Sequence, residues 1–302
     1  MRAVAFDFGR VSARDYEELR PGYAPEAVAW VVERARLGTG TLVVDLGAGT
    51  GQLSRRFTTW GVQVIAVEPA PNMRRVLGET LPTIRALPGT AEEMPLSDAS
   101  TDAVVVGNAF HHFDADRAAA EIGRVLRPGG ALALFWAASD PDEHRLDAIA
   151  GVAEASVEAS PTASVSPTVA AYRAWSRSPS TLHGFSTFER RSFPSVHAIR
   201  SSRIADLFAT SSDVASLEPD RRVALQQRIR ELARGLPNRL ELSARTNVDL
   251  AFRTPGMPRR AGGVSSRRGR GDVDPPLTPP VPPRPGSARS PDAPRSAPGP
   301  RR

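Results

Sequence analysis

Four short apolar runs separated by amphipathic segments constrain the fold of this chain more than any other feature. Each run is long enough for a strand buried on both faces. The runs are Leu42 to Leu46, Val62 to Val67, Ala103 to Val106 and Ala131 to Trp136. Strands that alternate with helices form βαβ units, whose strands are parallel. The pattern therefore predicts an α/β fold with a doubly wound, mostly parallel sheet.

Apolar residues at helical spacing lie between and after these runs. The stripes are Leu53, Phe57 and Trp60, then Ala118, Ile122 and Val125, then Ile204, Leu207 and Phe208, and finally Leu225, Ile229 and Leu232. Asp114 can cap the second of these helices, and Pro128-Gly129-Gly130 is predicted to end it. Pro219 marks the start of the last one.

The rest of the chain divides by composition. Residues 137–215, which begin with a stretch rich in Ala, Ser and Pro, are predicted to form an insertion or cap. Residues 239–253 alternate apolar and polar side chains, which is typical of an antiparallel strand near the sheet edge with one face in water. Residues 254–302 are dominated by Pro, Arg, Gly and Ser and are predicted to be a disordered tail. One domain is therefore expected over residues 1–253, with its core at 41–136.

Composition and charge exclude several classes of function. The 302-residue chain has no cysteine, which excludes disulfides, thiolate nucleophiles and cysteine-bound metals, and we expect no metal site. The net charge is +6, but residues 254–302 hold ten Arg and three Asp, which leaves −1 for residues 1–253. Nucleic acid is therefore expected only as a weak contact of the tail. Because no apolar run suits a signal peptide or a membrane span, we expect a cytoplasmic protein.

A glycine-rich turn follows the first apolar run. It reads Asp45-Leu46-Gly47-Ala48-Gly49-Thr50-Gly51, which is G-x-G-x-G with an acid two residues before the first glycine. Glycines allow a tight turn and a close approach of a ligand to the backbone. A nicotinamide or flavin fingerprint would need glycine where this chain has Gln52. The Asp45 carboxylate would repel a pyrophosphate but suits a ligand with an ammonium and a sulfonium, which argues against a nucleotide-dependent oxidoreductase.

The turn and the motifs that follow it resemble those of class I S-adenosylmethionine methyltransferases, of the type 11 small-molecule subgroup. The resemblance covers about residues 5–253 and is strongest over 41–136. The matching motifs after the turn are Val64 to Pro69, Asn72-Met73, Gly89 to Leu96, Val105 to Phe113 and Glu121 to Trp136. The resemblance implies a Rossmann-like seven-stranded sheet, with S-adenosylmethionine across the carboxyl ends of its first, second and fourth strands. It also implies methyl transfer to a small organic acceptor by direct displacement.

The resemblance also assigns roles to single residues. The cofactor-binding residues that it implies are Tyr16, Arg20, Asp45, Gly47, Ala48, Gly49, Gly51, Glu68, Pro69, Met73, Ala91, Glu92 and Asn108. Glu68 is expected to hold the ribose hydroxyls. Thr90 stands where many relatives carry Asp, so adenine recognition there is expected to use backbone groups and Glu92. His111 and His112 follow the fourth strand and are candidate general bases, because imidazole titrates near neutrality.

Simpler structural roles stay open for these residues. The glycines could form a turn without a ligand, Glu68 could be a solvated strand end, and Asn108 could only terminate its strand. The histidines could be packed or capping residues. Tyr16 and Tyr23 could pack an N-terminal helix instead of making a cation–π contact with the sulfonium. For the whole chain, the alternative function is a non-catalytic binding module whose Arg-rich tail contacts nucleic acid or an acidic partner.

Overall fold

A seven-stranded sheet forms the centre of the fold in the computed structural model, which describes residues 11–140, 143–160 and 181–255. In chain order the strands are β1 (Leu42–Leu46), β2 (Gln63–Val67), β3 (Arg85–Leu87), β4 (Thr101–Gly107), β5 (Leu126–Ser139), β6 (Glu189–Arg200) and β7 (Arg239–Phe252). Across the sheet their order is β3-β2-β1-β4-β5-β7-β6, and among these strands only β7 runs against the others. The predicted Rossmann-like fold with one antiparallel strand is confirmed.

Helices cover both faces of the sheet. Those of the described residues are α1 (Ala13–Leu19), α2 (Pro25–Arg34), α3 (Gln52–Thr58), α4 (Pro71–Thr80), α5 (Ala115–Val125), α6 (Asp147–Glu158), α7 (Ile204–Ala209), α8 (Ser212–Ser216) and α9 (Pro219–Ala233). Asp114 caps α5 as predicted, because its carboxylate accepts a hydrogen bond from the Arg117 backbone N–H at 3.2 Å. The predicted start of α9 at Pro219 is also confirmed.

Alternate residues of the central strands pack into two apolar layers. Val43 of β1 lies in the layer that includes α2 and α3, whereas Val44 lies in the layer that includes α5. In the first layer the rings of Phe57 and Phe135 meet edge to face, with their centroids 6.0 Å apart. Burial on both faces explains why these strands are almost wholly apolar in sequence.

The strand order reverses between β1 and β4. From β1 the chain continues to β2 on one side, while β4 pairs with the other side of β1. The loops that leave these strands therefore part and open a crevice at the carboxyl edge of the sheet. The glycine turn follows β1, Glu68 follows β2, and Asn108 follows β4. The fold thus brings three of the predicted segments to one edge.

Two details near the helices differ from the prediction. Trp60 lies beyond the end of α3 at Thr58, and its side chain is 44% exposed, so it is not part of the buried stripe. Pro128-Gly129-Gly130 does not end α5, because β5 starts at Leu126 directly after the helix. The Pro-Gly-Gly segment instead lies where the register between β4 and β5 shifts, a position that tolerates proline and glycine in a strand.

The predicted insertion at 137–215 is wrong in part. β6 lies inside this range and pairs with β7 along its whole length, so it belongs to the central sheet. The segment 239–253 is antiparallel and lies near the sheet edge as predicted, next to the edge strand β6. The sequence of β6 hides this role, because most of its side chains are exposed and alternate only weakly.

Most of the predicted tail lies outside the described residues. The described part stops at Pro255, after a hydrogen bond from the Thr254 N–H to the Gly184 carbonyl at 2.9 Å. Within the described ranges, every helix falls short of the length and apolar character that a bilayer span requires.

Candidate functional site

The turn after β1 has a backbone that favours glycine. Gly47, Gly49 and Gly51 have φ angles of 68°, 57° and 89°, in the left-handed region. A Cβ on Gly47 would lie 2.8 Å from the Ala109 Cβ, so the loops after β1 and β4 are in contact there. At Gly49 the nearest atom to the same position is in the Tyr16 ring, at 4.0 Å. The middle glycine therefore leaves room for a ligand beside the backbone.

Glu68 holds this turn from the end of β2. Its carboxylate is buried, and Oε2 accepts a hydrogen bond from the Gly49 N–H at 2.9 Å while Oε1 accepts one from the Ala70 N–H at 2.8 Å. Burial raises the pKa of Glu68, and the two hydrogen bonds oppose this rise. A carboxylate has about four acceptor positions. Glu68 therefore keeps capacity for hydroxyl donors of a ligand.

Asp45 lies on the β1 side of the turn and is also buried. Its Oδ2 accepts a hydrogen bond from the Ser54 hydroxyl at 2.6 Å, whereas Oδ1 has no hydrogen-bond partner among the described residues. Burial raises the pKa of Asp45 to about 7, against hydrogen bonds from Ser54 that lower it. An unpartnered buried carboxylate oxygen is costly. A cationic donor on a ligand would satisfy it.

Helix α1 lies against the turn, and Gln52 fixes its position. The Gln52 side-chain amide donates hydrogen bonds to the backbone carbonyls of Tyr16 at 3.3 Å and Glu17 at 2.9 Å. The Glu17 carboxylate accepts a hydrogen bond from the Thr50 hydroxyl at 2.6 Å and pairs with Arg55 at 2.5 Å. Gln52 stands where a nicotinamide-binding fingerprint would need glycine. In this structure it joins α1 to the glycine turn.

Side chains of the N-terminal element border the same region. The Arg20 guanidinium lies 5.4 Å from the centroid of the Tyr16 ring, and its Nε donates to the Thr210 hydroxyl at 2.8 Å. Tyr23 is buried, with its hydroxyl so close to Gly107 that a Cβ there would collide with it. Burial raises the pKa of both tyrosines, so both hydroxyls stay protonated at neutral pH. The contact of Arg20 is with the protein, and its cofactor role stays a prediction.

Asn108 ties the loop after β4 to β5. Its backbone has a φ of 50°, which is unusual for a residue other than glycine. Its Oδ1 accepts a hydrogen bond from the Ala137 N–H at 2.9 Å, and its own N–H donates to the Phe135 carbonyl at 2.9 Å. This arrangement supports a structural role at the strand end. A contact of Asn108 with the cofactor stays a prediction.

The rings of His111 and His112 lie against each other just beyond β4, with their planes tilted by 48°. Their ring centroids are 3.9 Å apart, and the Trp136 ring lies 6.0 Å from that of His111. Burial lowers the pKa of His111 to about 3 and that of His112 to about 4. The expectation that they titrate near neutrality is therefore wrong, and both rings are neutral at pH 7. Their part in catalysis stays a prediction.

The remaining predicted residues lie in different environments. Met73 and Ala91 are buried in two separate apolar clusters, whereas Pro69 is exposed. The Glu92 carboxylate accepts a hydrogen bond from the Asp114 N–H at 3.0 Å, which joins its loop to the start of α5. The structure therefore gives Glu92 a structural contact, and its role in adenine recognition stays a prediction.

Residues that position the site were missed in the sequence. Besides Ser54 and Gln52, Glu121 of α5 is buried, accepts a hydrogen bond from the Met94 N–H at 2.7 Å, and pairs with Arg124 at 2.7 Å. Through the Met94 N–H, this ion pair holds in place the segment before β4 that contains Ala91. A glutamate three residues before an arginine on one helix is the signal that could have identified the pair, although it does not reveal the loop that the pair holds.

The central part of this chain is similar in sequence to known proteins. Residues 44–134 match the methyltransferase domain family. An uncharacterized methyltransferase of Mycobacterium bovis is 48% identical over 139 residues, which are 46% of this chain and 55% of that protein. One of Schizosaccharomyces pombe is 37% identical over 123 residues, 40% of this chain and 49% of that protein. The chain thus spans about half the length of these curated relatives.

A solved structure extends the likeness to most of the fold. A candidate type II methyltransferase from Anaeromyxobacter dehalogenans aligns with a TM-score of 0.57 at 23% identity, over 78% of this chain and 98% of that one. At this identity the alignment shows the fold alone. Residues 44–134 are therefore similar to the methyltransferase domain family, and the chain shares the fold of that solved structure.

Proposed function

We propose that this chain is an S-adenosylmethionine-dependent methyltransferase that methylates a small organic acceptor by direct displacement. The observation that carries the proposal is the pair of buried carboxylates, Asp45 and Glu68, on either side of the glycine turn. Asp45 offers an unpartnered oxygen to an ammonium or sulfonium group, and Glu68 has acceptor capacity left for ribose hydroxyls. A pyrophosphate would meet two negative charges at the same place.

The chain's own residues would bind and orient the cofactor. The turn from Gly47 to Gly51 lets it approach the backbone, Met73 and Ala91 would border the adenine, and the rings of Tyr16 and Tyr23 would face the positive charge. When bound, S-adenosylmethionine supplies an electrophilic methyl group. The protein's contribution is then to align the acceptor with that group and to exclude water.

Charge supports a small acceptor rather than a nucleic acid. Residues 1–253 carry a net charge of only −1, so the domain has no general excess of positive charge for phosphate contacts. Next to the crevice, His111, His112 and Trp136 form an aromatic group whose imidazoles are neutral at pH 7. We expect the histidines to orient the acceptor, and to take a proton only from an acidic hydroxyl, because their lowered pKa values make them weak bases.

Calorimetry with three ligands tests the cofactor assignment. We expect S-adenosylmethionine and S-adenosylhomocysteine to bind to the full chain and NAD not to bind, because Asp45 and Gln52 disfavour a pyrophosphate. Binding of NAD with no response to either adenosyl ligand would overturn the proposal.

Methyl-labelled cofactor tests the acceptor class. The protein is incubated with the label and with size-fractionated cell extract, and label is expected in the small-molecule fraction. The matched control is the same incubation with Gly49→Val, which places a branched side chain where ligand and backbone should meet. Label found only in RNA or protein would contradict a small acceptor.

A further inference from the structure

The Asp45 carboxylate is held by one residue of the next helix. Ser54 lies in the first turn of α3 with 0% exposure, and its hydroxyl donates to Asp45 Oδ2 at 2.6 Å. A hydroxyl carries a single proton. The Ser54 hydroxyl is therefore committed to Asp45 as a donor.

The other neighbours of Asp45 give its charge no support. Glu68, at the end of β2, is acidic and disfavours a second negative charge. Tyr23, from the loop before α2, interacts electrostatically with Asp45, but it is a neutral phenol. On β4 the residue in register with Asp45 is the apolar Val105. In the described ranges, Ser54 is thus the side chain that favours the ionised form of Asp45.

We propose that Ser54 is a positioning residue of the cofactor site, which holds the Asp45 carboxylate ionised through Oδ2 and leaves Oδ1 for the ammonium group of the bound ligand. This inference rests on the proposed function. It explains why one oxygen of a buried carboxylate is satisfied while the other is not. It also requires the affinity for the cofactor to rise as Asp45 loses its proton.

The test is a series of calorimetric titrations of the full chain with S-adenosylhomocysteine, from about pH 5.5 to about pH 8.5. Burial raises the pKa of Asp45 to about 7, so the wild-type affinity should increase across this range. In Ser54→Ala the midpoint should move up by about one pH unit, and affinity at pH 7 should fall about fivefold. Ser54→Thr keeps a hydroxyl and should restore the wild-type midpoint.

Thr58→Ala is the matched control, because Thr58 lies on the same helix with an exposed side chain whose hydroxyl donates to the Arg55 carbonyl at 2.9 Å. It should leave the midpoint unchanged. A Ser54 with a merely structural role would change the melting temperature without moving the midpoint.

An unchanged midpoint in Ser54→Ala would overturn the inference and leave the proposed function standing, since the ligand would still bind. Failure of the wild-type chain to bind at any pH would instead overturn the proposed function. If Ser54→Ala does not fold, Ser54→Cys replaces it, because a thiol of similar size is a weaker donor. Its midpoint should move in the same direction, and a fixed midpoint would again overturn the inference.

Discussion

The backbone N–H of Gly49 donates a hydrogen bond to the Glu68 carboxylate at 2.9 Å, which ties the middle of the glycine turn to the end of the neighbouring strand. The same carboxylate is the group expected to hold the ribose. Glu68 therefore shapes the glycine turn and offers a binding group with the same two oxygens. Variants of Glu68 should change both stability and affinity.

Glu68→Ala is expected to weaken S-adenosylhomocysteine binding by at least about tenfold, because charge-assisted hydrogen bonds are lost. It should also lower the free energy of unfolding by about 1 to 3 kcal/mol, since the buried N–H groups of Gly49 and Ala70 lose their acceptor. Calorimetry and chemical denaturation measure the two effects. Glu93→Ala, at an exposed carboxylate, is the control. Unchanged affinity in Glu68→Ala would refute the ribose role.

Asp45→Asn should change how the stability of the unliganded protein depends on pH. The folded-state pKa of Asp45 is raised to about 7, so its stabilising contribution is full below the unfolded-state pKa near 4 and is lost as the pH rises through 7. An asparagine cannot ionise. The free energy of unfolding of the variant should therefore exceed that of the wild type by up to about 4 kcal/mol at pH 8. Near pH 4 the two values should be equal. Denaturation at several pH values measures this, and a pH-independent difference would contradict it.

Gly107→Ala should destabilise the fold by about 1 to 3 kcal/mol, because the new methyl group would collide with the Tyr23 ring and hydroxyl. Combining it with Tyr23→Ala should remove most of this additional cost, which a double-mutant cycle measures. The control is Gly78→Ala on α4, where a Cβ meets nothing within 4 Å. That change should be neutral or slightly stabilising. Equal losses of stability in Gly107→Ala and Gly78→Ala would argue against the close contact between Gly107 and Tyr23.

Gln52→Ala should loosen α1 and weaken cofactor binding several-fold, since two hydrogen bonds to the carbonyls of Tyr16 and Glu17 are lost. Faster hydrogen exchange in α1 is the measurement that separates this effect from general unfolding. Gln63→Ala, at an exposed position of β2, should change neither property. Unaltered exchange in α1 would show that Gln52 does not hold the helix.

Removal of residues 256–302 should leave folding and cofactor affinity unchanged. The cut belongs after Pro255, because the Thr254 N–H and the Arg253 N–H bond to the carbonyls of Gly184 and Gly130 at 2.9 Å and 2.8 Å. Removing the Arg-rich segment should also abolish salt-sensitive adherence to nucleic acid. Thermal unfolding and a filter-binding assay measure these outcomes. A melting temperature several degrees lower would show that the segment is part of the fold.

The strands of the core were predictable because their burial on both faces forces an almost wholly apolar sequence. The runs at Leu42 to Leu46 and Val62 to Val67 match β1 and β2 to within a residue. The glycine turn was equally readable, since its left-handed backbone requires particular residues at adjacent positions. Local chemistry and periodicity were sufficient for these elements.

Contacts between distant segments could not be predicted in the same way. In the sequence, Gln52 shows only that a glycine of the nicotinamide fingerprint is absent. Its hydrogen bond to the Glu17 carbonyl of α1 joins residues 35 positions apart and is visible only in the fold. β6 has Pro194 and many exposed side chains, and it becomes a strand through pairing with β7 rather than through its own pattern. The lowered pKa values of His111 and His112 likewise depend on burial that the sequence does not display.

The place of β7 between β5 and β6 determines the order in which the sheet can be completed. β6 pairs with β7 and with no earlier described strand, although β7 begins 39 residues after β6 ends. Among the described residues, β6 must therefore wait during synthesis for Arg239–Phe252 before it can form its ladder. The last of the described strands thus completes the sheet, and a chain interrupted before it would expose the edges of β5 and β6 to aggregation.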